Sequence, residues 1–312
     1  MPLHPQVQAM REQRERERVP QLYTLSLEQA RANDLAEIQA AAGSGEPVAS
    51  VVDRLIPGPA GDLPIRVYSP VRDEPHPGPL PVLVYFFGGG WTLGTIDTAD
   101  AVCRRLANAA GCAVVAVGYR LAPENKFPAA VHDGFAAVTW VVSNMDTPAI
   151  AVGGDSAGGN LAAAVTLLAR DEGVPLVAQL LVYPNTDYLS DTPSLRDGDD
   201  PFLFNKTSVA WYWGHYLAAP EDGTNPLASP LRAPSLHGLP PALVITAEYD
   251  PLRDQAEQYA QRLSDSGVPV ELSRYDGMIH GFFCMAGDLA DGAKAQEEAA
   301  AFLRRHLFDA AA

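Results

Sequence analysis

The chain is short of cysteine, of positive charge and of long apolar runs, and each shortage removes a class of function. Three cysteines, Cys103, Cys112 and Cys284, occur in 312 residues. Their spacing fits neither a disulfide framework nor a metal pattern. Cys103 falls in a helical stretch and Cys112 at a strand start, so buried thiols in a reducing cytosol are expected. The formal net charge is −16. Such a surface repels nucleic acid and anionic headgroups and disfavours polyanionic substrates. No run of about 18 apolar residues is present, which argues against a membrane span or stable membrane insertion. Met1-Pro2-Leu3-His4-Pro5 lacks the basic-then-apolar order of a secretory signal, so a cytoplasmic location is expected. No internal repeat is visible.

What is present reads as an ordinary globular enzyme, 47% hydrophobic and 19% charged. Residues 8–40 look helical and highly charged. The run 11–18, alternating Arg with Glu and Gln, reads as a solvated helix or arm. Residues 51–56 and 63–68 look like a hairpin across a Pro-Gly-Pro-Ala-Gly-Asp turn, and residues 70–81 form a proline-rich link. Val82-Leu83-Val84-Tyr85-Phe86 and Ala113-Val114-Val115-Ala116-Val117 are continuous apolar runs, as buried parallel strands should be. Helical stretches at 99–110 and 129–143 alternate with them, which predicts an α/β sheet with helices on both faces. Residues 185–225 break this alternation and carry Phe202, Phe204, Trp211, Tyr212, Trp213 and Tyr216. An insertion this long and this aromatic is expected to be ordered and functional.

The centre of the chemistry is Gly154-Asp155-Ser156-Ala157-Gly158. It follows the apolar run 149–153 and precedes strong helix formers from Asn160 to Leu168. That context predicts a nucleophile elbow, with Ser156 on a strained turn and its hydroxyl presented to a pocket. In such sites the acid and the histidine follow the serine in the chain. Of the later histidines, His215 and His237 precede the favoured acid, and His306 lies in an amphipathic helical pattern. His280 sits in a loop just after the strand expected at 268–275, and is the candidate general base. Asp250 follows the apolar run 242–247 and leads into a helix at 251–263. It is preferred over Asp187, which opens a long irregular stretch, although Asp250 could also cap its helix. Glu248 and Asp254 read as loop or helix-surface carboxylates. Asp155 borders the nucleophile and could help steer the elbow, but reads first as a surface or loop-bracing ion-pair residue.

Five segments in this order carry a resemblance. They are Phe86-Phe87-Gly88-Gly89-Gly90-Trp91, Tyr119-Arg120-Leu121-Ala122-Pro123-Glu124, Gly154-Asp155-Ser156-Ala157-Gly158-Gly159-Asn160, Tyr249-Asp250-Pro251-Leu252-Arg253-Asp254 and His280-Gly281-Phe282. The chain resembles the hormone-sensitive lipase family of α/β-hydrolases, the bacterial family IV carboxylesterases, over roughly residues 50–310. The resemblance implies an α/β-hydrolase fold with a helical cap. It divides the chain into an N-terminal cap segment (1–48), core (49–184), cap insertion (185–225) and core (226–312). It selects the same Ser156, Asp250 and His280, and implies a serine esterase acting on small-molecule esters of short to medium chain with no cofactor. It also allows a homodimer, which nothing in the sequence fixes.

The backbone amides of Gly88, Gly89, Gly90 and Ala157 are the expected oxyanion donors, with Gly88, Gly89 and Ala157 preferred. Phe87 departs from the family pattern, which has His at that place. The glycine loop is therefore expected to be set by packing. Phe87, Trp91, Phe202, Leu203, Trp211 and Tyr212 are expected to bind or shape the substrate pocket. The Tyr119–Glu124 motif is expected to fix loops beside it. An amidase on the same triad, or a non-catalytic receptor on the same fold, are the alternatives; the presence of His280 weighs against the receptor.

Overall fold

The computed structural model describes residues 2–72 and 78–309. Part of the proline-rich link, residues 73–77, lies outside them.

The expected single helical segment at the N-terminus is two helices, α1 (Pro5–Glu17) and α2 (Leu27–Ala42). Arg18 ends α1 in a left-handed conformation (φ 52°, ψ 44°). Ser26 then starts α2 with a capping box: its hydroxyl accepts the Gln29 N–H, and the Gln29 side chain accepts the Ser26 N–H, which satisfies two otherwise orphaned donors. The charge run on α1 is less solvated than its composition implies. Arg11 Nε donates to Asp200 Oδ2 at 2.6 Å, Arg14 Nε to the Phe202 carbonyl at 3.1 Å, and Gln21 Nε2 to the Pro201 carbonyl at 2.7 Å. These bonds tie the first segment of the chain to the insertion near residue 200.

The hairpin is β1 (Ser50–Gly58) with β2 (Gly61–Ser69), closing across residues 59 and 60, tighter than the six-residue turn expected. Then follow β3 (Val82–Phe86), α3 (Asp100–Ala110), β4 (Ala113–Val117), α4 (Ala129–Asn144), β5 (Ile150–Asp155), α5 (Ala157–Asp171) and β6 (Ala178–Val182). The insertion contributes α6 (Pro193–Asp197) and α7 (Lys206–Tyr216), the latter capped by Asn205, whose side chain accepts the N–H groups of Thr207 and Ser208. The chain closes with β7 (Ala242–Tyr249), α8 (Arg253–Asp265), β8 (Val270–Ile279) and α9 (Ala290–Asp309).

One sheet of eight strands results, in the order β1-β2-β4-β3-β5-β6-β7-β8. Strand β2 runs antiparallel to both β1 and β4, and the remaining pairs are parallel. Every residue of β3, β4, β5 and β6 is buried. Covering both sheet faces is what lets these strands be apolar throughout rather than alternating. Helix α3 packs on α9, and α4 on α5. Among the described residues no helix is long and apolar enough to cross a membrane.

The last two strands are longer than the apolar runs imply. Strand β7 continues to Tyr249 and β8 to Ile279, and after an irregularity these two residues pair with each other. The next residue on each strand is Asp250 and His280. Sheet register alone therefore brings side chains 30 positions apart to the same end of the sheet.

Candidate active site

Ser156 stands between β5 and α5 at φ 56° and ψ −117°. A non-glycine residue in that region costs roughly 1–3 kcal/mol and persists only where its surroundings impose it. Here its N–H donates to the Val182 carbonyl at 2.8 Å and its own carbonyl accepts the Asn160 N–H at 3.0 Å. The two arms of the turn touch. A Cβ on Gly158 would lie 2.0 Å from the Phe86 carbonyl oxygen, and one on Gly154 would lie 2.4 Å from the Gly158 carbonyl. Only glycine fits either place.

The Ser156 Oγ lies 2.8 Å from His280 Nε2, and His280 Nδ1 lies 2.8 Å from Asp250 Oδ2. The Asp250 side chain is fully buried. Its other oxygen accepts the Leu252 N–H at 2.8 Å, so the carboxylate caps the following turn and holds the imidazole together. The His280 ring is clamped: Phe204 stacks on it at 4.1 Å and 20°, and Tyr183 lies at 4.6 Å on a tilt. Asp187, the alternative acid, is engaged elsewhere by Arg232 (Nε to Oδ1, 2.6 Å). His215 packs edge-on against Trp211, His306 tilts against Phe302, and His237 is exposed. None of the three joins the cluster. Glu248 accepts the Gly277 N–H, and Asp254 accepts the Ser194 N–H, the loop-supporting placements anticipated for both.

Asp155 is not an ion-pair residue. It is buried behind the serine, where Tyr85 Oη donates to Oδ1 at 2.8 Å and Cys284 Sγ approaches Oδ2 at 3.5 Å. Burial pushes its carboxyl up, while Tyr85, Cys284, His280 and the Gly88 N–H pull the other way. Gly88 packs tightly on this carboxylate: a Cβ there would sit 2.3 Å from Asp155 Oδ2. The amides of Gly89, Gly90 and Ala157 have no protein acceptor among the described residues, and Gly89 and Gly90 line the cavity in front of Ser156. Gly89 and Gly90 thus face the cavity at Ser156, and Gly88 packs against Asp155.

Phe87 and Trp91 do not line that cavity, contrary to expectation. Phe87 stacks on Tyr119 (4.3 Å, 19°) and borders a separate cleft beside Ile96 and Leu121. The glycine loop is held by that packing, and also by a polar contact, because Tyr119 Oη donates to the Phe87 carbonyl at 2.8 Å. Trp91 is fully buried, stacked on Tyr216 at 4.1 Å and 4°. Elsewhere in the motif Arg120 pairs with buried Asp133, and Arg31 of α2 reaches Glu124.

The cavity itself measures about 570 Å³. Phe202, Leu203, Trp211 and Tyr212 line it, as expected of the insertion. Phe204, Tyr183, Cys284 and a set from the first two helices, including Met10, Ile38 and Asp34, line it as well. Phe204 was visible only as a member of the aromatic cluster. Asp34 has no sequence signal, being one of three acids on an alanine-rich helix.

A buried serine at a strand–helix elbow, with histidine and aspartate delivered from the ends of the last two strands of a largely parallel sheet, defines an α/β-hydrolase. The comparisons agree. A family model for the α/β-hydrolase fold matches residues 83–284. The carboxylic ester hydrolase LipN of Mycobacterium tuberculosis is 43% identical over 272 residues, covering 82% of this chain and 70% of that protein. An arylesterase of Saccharolobus solfataricus is 44% identical over 252 residues, covering 79% of this chain and 81% of that one. Among solved structures, an ester hydrolase from the Lake Arreo metagenome superimposes with a TM-score of 0.92 at 38% identity, covering 97% and 99% of the two chains. A hyperthermophilic esterase from the archaeon Pyrobaculum calidifontis does so at 0.89 and 41%, covering 97% and 98%. The chain belongs to the hormone-sensitive-lipase-like, family IV branch of the α/β-hydrolases.

Proposed function

We propose that the protein is a serine carboxylesterase that cleaves short- to medium-chain carboxylic esters through an acyl-enzyme. The observation that carries this reading is the unbroken relay of two 2.8 Å contacts, Ser156 Oγ to His280 Nε2 and His280 Nδ1 to Asp250 Oδ2. His280 takes the Ser156 proton as the oxygen attacks the ester carbonyl. Asp250 keeps the proton-bearing nitrogen of the ring on its own side and stabilises the imidazolium. The Gly89, Gly90 and Ala157 amides stabilise the oxyanion, each such donor being worth roughly 2.7–4 kcal/mol in the transition state. The imidazolium then gives its proton to the departing alcohol. Water, activated by the same histidine, releases the acid.

Residues 1–48 and 185–225 act as the two halves of a cap, a role supported by the bonds from Arg11, Arg14 and Gln21 to residues 200–202. The walls that Phe202, Phe204 and Trp211 supply favour acyl chains of limited length. The test is hydrolysis of p-nitrophenyl butyrate by the parent and by Ser156→Ala, with an organophosphonate label mapped by mass spectrometry. Turnover with a p-nitrophenol burst, a single label on Ser156 and an inert variant are expected. A label on another residue, or full activity in Ser156→Ala, refutes the assignment.

A further inference from the structure

One group in the cavity has no part in that chemistry. Asp34 stands on α2 and forms part of the cavity wall, yet is only 8% exposed. It accepts the Gly94 N–H, and its Oδ2 has no hydrogen-bond partner. Leaving a buried acceptor unpaired costs on the order of 1–3 kcal/mol, more when it is charged, so a donor that a ligand brings to this carboxylate would offset that cost.

The surroundings specify the partner. Glu17, Glu37 and Asp288 also line the cavity, and Arg14 is the one Lys or Arg among the lining residues. Arg14 is already committed, to Glu37 at 2.8 Å and to the Phe202 carbonyl. The remaining field is negative. Trp211 and Tyr212 border the same space, and aromatic side chains can attract cations. A carboxylate on the substrate would meet repulsion here; a protonated amine would meet an unpaired acceptor, a negative field and aromatic rings.

Building on the ester-hydrolase reading, we propose that the cavity selects esters bearing a protonated amine, and that Asp34 is the specificity-determining residue that accepts the amine N–H. Burial, and then the charge of Glu37, pushes the Asp34 carboxyl up to about 7. An ammonium group seated against it relieves both of those costs.

The experiment compares 2-(dimethylamino)ethyl butyrate with 3-methylbutyl butyrate at neutral pH. The two differ by a protonated nitrogen in place of a CH, and each rate is normalised to hydroxide hydrolysis of the same ester. The parent is expected to prefer the amine ester by about tenfold in kcat/KM, the worth of one hydrogen bond between charged groups. Asp34→Asn is expected to remove most of that preference. Equal turnover of both esters by the parent overturns this inference and leaves the esterase reading intact. Turnover of neither ester overturns the esterase reading itself. A preference that survives in Asp34→Asn removes Asp34 from the role. Should that variant fail to fold, competition in the parent decides: hexylammonium should inhibit cleavage of the neutral ester about tenfold more strongly than 1-hexanol, and equal inhibition refutes the proposal.

Discussion

Replacing Asp34 by Asn should change how stability depends on pH, by an amount the structure sets. The Asp34 carboxyl is raised from 3.8 to about 7, first by burial and then by Glu37 on the same helix and Asp155 on β5, against the single favourable bond from the Gly94 N–H. Well below pH 3.8 the carboxyl is protonated both folded and unfolded, and carries no penalty. As the pH rises the unfolded chain ionises first, so stability falls steadily until the folded form ionises too, near pH 7, and then levels off. At 1.36 kcal/mol for each tenfold change in the proton equilibrium, the loss between those limits is about 4 kcal/mol. Asn has the same shape, accepts the same Gly94 N–H and never ionises. Urea unfolding of both proteins from pH 4 to 8.5 should give a stability difference, variant minus parent, that climbs by about 4 kcal/mol between pH 4 and 7 and is flat above. The other titrating groups are common to both proteins and cancel. Parallel curves would show that Asp34 ionises normally in the folded chain, and would refute the burial argument.

Asp250→Asn should keep the Leu252 cap through its remaining oxygen but present an amide to His280, favouring the wrong tautomer; kcat on p-nitrophenyl butyrate should fall about 10⁴-fold with little change in melting temperature, and a loss under tenfold would remove Asp250 from the relay. Gly90→Ala places a Cβ 2.0 Å from Tyr212 Cδ1 at a φ of +59°, so kcat/KM should drop sharply; Gly90→Ala/Tyr212→Ala should recover the steric part of the loss, and a fully active single variant would place the oxyanion site elsewhere. Phe87→His restores the residue typical of the family but leaves the Gly89, Gly90 and Ala157 amides in place, so its kcat should stay within a few-fold of the parent; an inert parent beside a fast variant would mean that Phe87 disables the loop. Trp211→Ala opens one wall of the cavity and should move the acyl-length optimum in a p-nitrophenyl ester series toward longer chains, whereas an unchanged optimum would make Trp211 a packing residue only.

The core was readable because its physics is local. Strands β3 to β6 are buried on both faces, so their residues must be apolar without alternation, and the turn after β5 admits only glycine at two places where backbones touch. The cap was harder, because its stability is tertiary. Helix α1 is largely polar, and it and the turn after it are held by contact with residues 200–203 nearly two hundred positions away. Composition read the Arg-Glu run as solvated since no local feature marks Arg11 and Arg14 as the ones that reach the insertion.

The site divides along the same line. Chain order and loop position single out Ser156, Asp250 and His280, and the pairing of Tyr249 with Ile279 explains why those loops meet. Which glycine amide faces the substrate is another kind of question. It involves Asp155, whose neighbours in sequence suggest a surface residue but whose carboxylate is buried and packs against Gly88. That contact links the elbow directly to the loop bearing Gly89 and Gly90. With the loop anchored by Asp155 on one side and by Tyr119, stacked on Phe87, on the other, an imidazole at position 87 is not required to hold it. The departure from the family motif then shows in how the loop is braced, by the Phe87–Tyr119 stack and the bond from Tyr119 Oη to the Phe87 carbonyl.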